Sequence, residues 1–321
     1  MRSVIAFLRR SVPRGRHPWP LALCALALFA TPAAADVPVV LVSIKPIHSL
    51  VAAVMEGVGT PDLIVDGNVS PHDYRLKPTD ADRIGKARLV FWVGPMLEAF
   101  LKGPLVDRAP RAEVVTLAES PGIRLLETRQ SGGWSAGPDA QGMLPTGFAT
   151  DGHLWLDPLN ARRIVAAAAT HLAAADSEHA PRYTRNAAEL YKRLDALDAA
   201  LRPKMAALAG KPFVVYHDGY QYFERRYGLL AVGAVAVAAA GDPTPRRLDD
   251  VRQRIRVSGA RCVFGEPQAS ATLLKSVAEP SKARTATLDP EGLSLEPGPE
   301  LYFTLITGLS ETLARCLQAR G

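Results

Sequence analysis

Short apolar runs separated by polar, helix-periodic stretches set the pattern of the chain from Val37 onward. A buried strand is predicted over 39–43 and a helix over 47–56, with further strands over 62–65 and 89–93. Thr79, Asp80 and Asp82 supply an N-cap and first-turn acids for a helix between those two strands. Strands alternating with helices predict α/β units rather than a sandwich, and give the first half the look of a doubly wound layer.

Over 127–151 the composition shifts to Gly, Ser, Pro and Ala without periodicity, which predicts a flexible loop that interrupts the domain rather than ending it. Asp157-Pro158 then provides an N-cap and a good first helical residue for a helix to about 175. A second helix over 181–208 carries a stripe of Tyr183, Ala187, Leu190, Leu194, Leu197, Leu201, Met205 and Leu208 at spacings of three and four. At 1.5 Å per residue it reaches ~40 Å, enough to connect two lobes, although the same stripe would suit a surface helix of one lobe. Pro203 is expected to bend or break it, because proline removes a backbone donor and crowds the preceding turn. Beyond it, strands over 213–216, 232–237, 262–265 and 285–288 alternate with helices from Asp218, after Thr244-Pro245 and over 269–278, before a final helix over 299–318. The two halves look alike. The expected organisation is an N-terminal lobe over 36–178, a linking helix over 179–209 and a C-terminal lobe over 210–321.

The N-terminus changes how composition is read. Its first 35 residues hold Arg2, Arg9, Arg10, Arg14 and Arg16 and no acid, then the apolar run 21–29, then Ala33-Ala34-Ala35. That order is a secretory signal, cleaved near Ala35, and its apolar run is far shorter than the ~20 residues of a spanning helix. Cys24 lies inside the run after Leu23, where a lipid-attachment site would want a small residue, so a free periplasmic protein is expected. Without those five arginines the 38 basic side chains fall almost level with the 32 acids, which removes the apparent basicity and with it any case for nucleic-acid binding. The later run 229–240 is also too short to cross a bilayer. Two cysteines remain, Cys262 and Cys316; in an oxidising compartment an even count favours one disulfide, with two separately buried thiols as the alternative.

Three histidines have contexts that the others lack. His72 lies in the turn Ser70-Pro71-His72-Asp73-Tyr74, His153 in Gly152-His153-Leu154-Trp155-Leu156-Asp157-Pro158, and His217 directly after an apolar strand. Open α/β sheets bind ligands at the carboxyl ends of their strands, where His217 and also Asp289, in Leu288-Asp289-Pro290, are expected. Neutral imidazole is a common zinc ligand, and three histidines plus one oxygen complete a tetrahedron. Spacing alone contains no local metal motif, and each histidine taken singly reads as structural before it reads as a ligand. His48, His171 and His179 fall on helical patterns or a polar helix entry and are read as structural.

Taken in order, these fragments, with Tyr216-His217-Asp218, Gly265-Glu266-Pro267 and Gly292, resemble the ZnuA-type periplasmic zinc-binding proteins of ABC importers, over essentially the whole mature chain. The resemblance implies two Rossmann-like lobes joined by a long rigid helix, with the metal site in the cleft between them. It implies a zinc ion held by His72, His153 and His217, a carboxylate at Asp289, delivery to the membrane permease of a zinc importer, and a monomer that is not an enzyme. Manganese-binding relatives place a carboxylate where His217 stands, and a nitrogen-rich site suits zinc better. Some zinc members carry Glu before the first histidine; Pro71 stands there in this chain, which leaves the fourth position to water or Asp289. The loop after residue 127 also lacks the histidines found in many members. The competing readings are a zinc-dependent hydrolase, with Glu266 as general base, and a manganese- or iron-binding relative or adhesin of the same fold.

Overall fold

The computed structural model describes residues 37–67, 69–129, 150–236 and 243–319. The expected signal segment 1–35 and most of the loop expected over 127–151 lie outside the described residues. In the first half, β1 (Val40–Val42), β2 (Asp62–Leu63), β3 (Leu89–Trp92) and β4 (Glu113–Thr116) form a parallel sheet in the order β2-β1-β3-β4. In the second, β5 (Pro212–Val215), β6 (Leu230–Ala234), β7 (Cys262–Gly265) and β8 (Arg284–Thr287) repeat that order as β6-β5-β7-β8, again all parallel. The expected α/β class and the likeness of the halves are both observed. Strands β1, β3 and β7 are buried along their whole length, as continuous Val/Leu/Phe runs must be when helices cover both faces of a parallel sheet.

The helices follow their local signals. They are α1 (Lys45–Val54), α2 (Pro78–Lys86), α3 (Lys102–Arg108), α4 (Pro158–Ala175), α5 (Ala180–Ala206), α6 (Gln221–Tyr227), α7 (Pro245–Ser258), α8 (Ala271–Ala278) and α9 (Leu301–Gln318). Asp157 caps α4 by accepting the Leu159 N–H at 2.9 Å, and Thr244 caps α7 by accepting the Arg247 N–H. The start of α2 differs from expectation: Lys77 is the N-cap, and Asp80 reaches back from the first turn to accept the Lys77 N–H at 2.8 Å. Pro203 does not break α5, which continues to Ala206; a proline one turn from the end forfeits little of the helix ladder.

Helix α5 buries Tyr183, Ala187, Leu190, Leu194, Leu201 and Met205 along one face and packs on α4, α1 and α9. Helix α9 in turn packs on α1 and β8, so one continuous apolar core runs through both lobes. A disulfide joins Cys262, at the start of β7, to Cys316 in α9. No helix among the described residues is long and apolar enough to cross a membrane.

Candidate metal centre

In the second sheet the chain reverses its direction of winding between β5 and β7, and ligands of open α/β sheets gather at the carboxyl side of such a point. His217 follows β5 by two residues and Glu266 follows β7 directly. The His217 ring donates from Nδ1 to Glu266 Oε1 at 2.5 Å. Tyr220 O–H at 3.1 Å and Gln268 Nε2 at 2.8 Å also donate to this carboxylate, and both histidine and glutamate are buried.

The other two histidines come from the first lobe. His153 stands just before the 3-10 turn Leu154–Leu156, behind an antiparallel bridge between Glu127 and Thr150 at the base of the long loop. Its Nδ1 donates to Asp151 Oδ1 at 2.8 Å, and the same oxygen accepts the His153 backbone N–H. His72 sits in the turn between β2 and α2, which Tyr74 pins by donating to Ile64 O and to Asp80 Oδ2. Half-buried, His72 has no carboxylate on its ring among the described residues.

The three rings meet through Nε2. His153 Nε2 lies 3.2 Å from His72 Nε2 and 3.2 Å from His217 Nε2, and the three form a group whose ligand atoms all fall within 4.8 Å of one another. Nitrogens ~2.0–2.1 Å from a tetrahedral zinc stand about 3.3 Å apart, so the spacing matches one face of such a tetrahedron. Gly219 keeps that face open: a Cβ there would collide with His217 Nε2 and lie 3.1 Å from His153 Nε2. On His153 and His217 the carboxylates take Nδ1–H, so that the neutral ring carries its lone pair on Nε2, the usual outer-shell arrangement of histidine metal sites.

Electrostatics divides the three. Burial and the neighbouring charges of His153 and His217 hold His72 well below its ordinary range. For His217 burial acts downward too, but the charge and hydrogen bond of Glu266 outweigh it and raise the ring to about 9. Burial pushes Asp151 up, yet its bonds to His153 prevail and keep it below the usual carboxylate range. Burial raises Glu291, whose charge also acts on His217, to about 8.

His72, His153 and His217 are thus brought together as expected, whereas Asp289 is not in the group. Its Oδ1 accepts the Leu293 N–H at 2.9 Å, and its Oδ2 accepts the Ser294 N–H and O–H at 2.9 and 2.7 Å. Both oxygens accept bonds within its own turn, and the carboxylate stands outside the histidine group. No sequence signal singles out Asp151, Gly219 or Glu291, and Glu266 stands in the sequence as part of a resemblance fragment and as a possible general base. Proximity alone marks two of them: Asp151 stands two residues before His153, and Gly219 two after His217.

Three imidazole nitrogens gathered from two parallel-sheet lobes define a metal-binding protein of the two-lobed α/β class. The chain matches the family described as "Zinc-uptake complex component A periplasmic", ZnuA, over residues 40–316, and it belongs to that family. It is 39% identical to the "High-affinity zinc uptake system protein ZnuA" of Brucella abortus (strain 2308), over 87% of this chain and 91% of that protein. Among solved structures it resembles one described as "Crystal structure of ZnuA", with TM-score 0.74, 22% identity and coverage of 88% and 100% of the two chains. It also resembles a manganese-bound protein, the solute-binding protein FpvC of Pseudomonas aeruginosa, with TM-score 0.73, 21% identity and coverage of 88% and 98%. At such identity these two likenesses speak to fold alone.

Proposed function

We propose that this protein receives zinc in the periplasm and passes it to the membrane permease of a zinc ABC importer, after removal of residues 1–35 as a signal. The observation that carries this reading is the convergence of His72, His153 and His217 through Nε2 at zinc-like spacing. Family membership supports the uptake role, and the nitrogen-only donor group favours zinc over the manganese held by a protein of the same fold. Hydrolysis is disfavoured by Glu266, which holds the ring of His217 and accepts from Tyr220 and Gln268 instead of standing free as a base.

Ligands drawn from both lobes suggest release by separating the His72/His153 half of the site from the His217 half. The apolar core shared by the lobes opposes wide separation. A small displacement of His72, the half-buried ligand whose ring has no carboxylate partner among the described residues, is the easier route.

Metal analysis of protein isolated from the periplasm tests the reading. One zinc per chain is expected, and alanine at any of the three histidines is expected to weaken zinc by more than the ~10–100-fold typical of outer-shell substitutions. Manganese or iron as the bound metal, or unchanged zinc affinity in two of the three variants, would overturn it.

A further inference from the structure

The two stems of the long loop, 126–129 and 150–151, are joined by the Glu127–Thr150 bridge and fastened to the segment 218–224 of the opposite lobe. Arg129 grips both ends of that segment. Its Nε donates to Asp218 Oδ2 at 2.8 Å and its Nη2 to Asp218 Oδ1. Nη1 and Nη2 also donate to Glu224 Oε2 and Oε1, at 3.0 and 2.9 Å. Between the two carboxylates, Gln221 Nε2 donates to Glu127 O at 2.9 Å and to Asp151 Oδ2 at 3.3 Å. Tyr222 O–H donates to Asp151 O at 2.8 Å and accepts the Leu126 N–H at 3.0 Å.

Each end of this clasp reaches one of the clustered histidines. Asp218 directly follows His217, and Asp151 Oδ1 accepts from the His153 ring. A guanidinium that forks onto two carboxylates fixes direction as well as distance, which a point charge does not. Arg129 is only 19% exposed and Glu224 6%, so solvent and salt screen the pairing weakly. Without the guanidinium, Asp218 and Glu224 would face each other as uncompensated like charges. Their repulsion would shift the segment after His217 relative to the stem that holds Asp151 and His153. Ligands already at the right spacing bind without a reorganisation cost, and 3.2 Å between His153 Nε2 and His217 Nε2 is such a spacing for zinc.

We propose that Arg129 is a positioning residue for zinc: its grip on Asp218 and Glu224 holds the two lobes in register beside the site and presets the His153–His217 pair. The inference rests on the three-histidine reading and deepens it. Retention of the metal falls to that clasped pair, and His72, which lies outside the clasp, is the ligand that yields first.

Zinc titration and zinc dissociation kinetics of the metal-stripped mature protein test this in R129Q and R129K, at a temperature where each is fully folded. R129Q removes both charge and fork; it is expected to lower the melting temperature of the metal-free protein and to raise the zinc Kd about tenfold through faster dissociation, the lower end of the range for outer-shell changes. R129K keeps the charge and loses the fork, so it is expected to recover melting temperature while the Kd stays raised. Global stability does not move the Kd of a protein that is folded throughout. A wild-type Kd in either variant therefore overturns the proposal, however far the melting temperature falls. Should R129Q fail to fold, R129K decides alone by the same criterion. Wild-type protein that binds no zinc would defeat the three-histidine reading instead.

Discussion

The two lobes share a strand order and each buries a glutamate beyond its third strand, in the loop after β3 in one and directly after β7 in the other, yet they use it differently. In the first lobe Glu98 follows β3 and closes the crevice beside β1: it accepts from Ser43 Oγ, from the Val93 N–H at 3.2 Å and from the Gly94 N–H at 2.9 Å. In the second, Glu266 follows β7 and faces His217 after β5. Glu98, fully buried, has both oxygens engaged by hydroxyl and amide donors of its own lobe. Glu266 passes its influence through an imidazole to an open nitrogen. One topology thus supports a sealed structural contact in one lobe and half a metal site in the other, and local side chains decide which.

The lobe that supplies His217 also carries a covalent brace, since Cys262 begins the strand that ends next to Glu266. Closing the 54-residue separation between Cys262 and Cys316 stabilises the fold by ~4 kcal/mol in the chain-entropy model. This is the largest effect expected. Replacing both cysteines by serine should lower the melting temperature markedly, and mass spectrometry of periplasmic protein should find no free thiol at either position. An unchanged melting temperature would mean that the second lobe does not depend on its brace.

A direct break of the comparison is the pair E266Q and E98Q. E266Q weakens the hold on the His217 ring and is expected to raise the zinc Kd about 10–100-fold, with D151N acting alike on His153. E98Q leaves a buried donor unsatisfied and is expected to cost ~1–3 kcal/mol of stability with zinc affinity unchanged. Calorimetric unfolding and zinc titration of both variants separate the outcomes. Loss of zinc affinity in E98Q would show that the sealed contact of the first lobe also serves the site.

The repeated architecture was legible in the hydropathy pattern because central parallel strands are continuous apolar runs and several helices begin at a proline preceded by a cap. Strand β4 was not: Glu113–Thr116 is an edge strand with its first two residues exposed, so no apolar run marks it. The helix expected from Asp218 begins later, at Gln221. Asp218 instead pairs with Arg129 across the chain, and Gly219 must stay small beside the rings. The histidine triad was legible only through the ordered set of fragments. Its carboxylate partners were not, since Glu266 is brought to His217 by strand pairing of β5 with β7 and not by sequence spacing. Asp289 illustrates the converse: a strand-end aspartate looked like a ligand, while its oxygens answer amides four and five residues ahead.

The smallest effect per unit concerns protons. Burial lowers the pKa of His217 and Glu266 raises it by more, so the ring stands at about 9 in the metal-free fold against ~6.5 in the unfolded chain. The stability this pairing contributes is complete below pH ~6.5 and fades as the pH rises through 9. Zinc needs the neutral ring, so this ring alone should make affinity climb by up to about tenfold per pH unit below about 9 and level off above it. His72, held well below its ordinary range, is already neutral there and adds no slope. Glu291, raised to about 8 by burial, adds a second proton when zinc favours its charged form. Isothermal titration near pH 7 in buffers of different ionisation enthalpy should therefore find between one and two protons released per zinc, with E266Q lowering the count by about one and E98Q leaving it unchanged. A count near zero for the wild type would show that His217 is neutral before zinc arrives, and that Glu266 orients the ring without charging it.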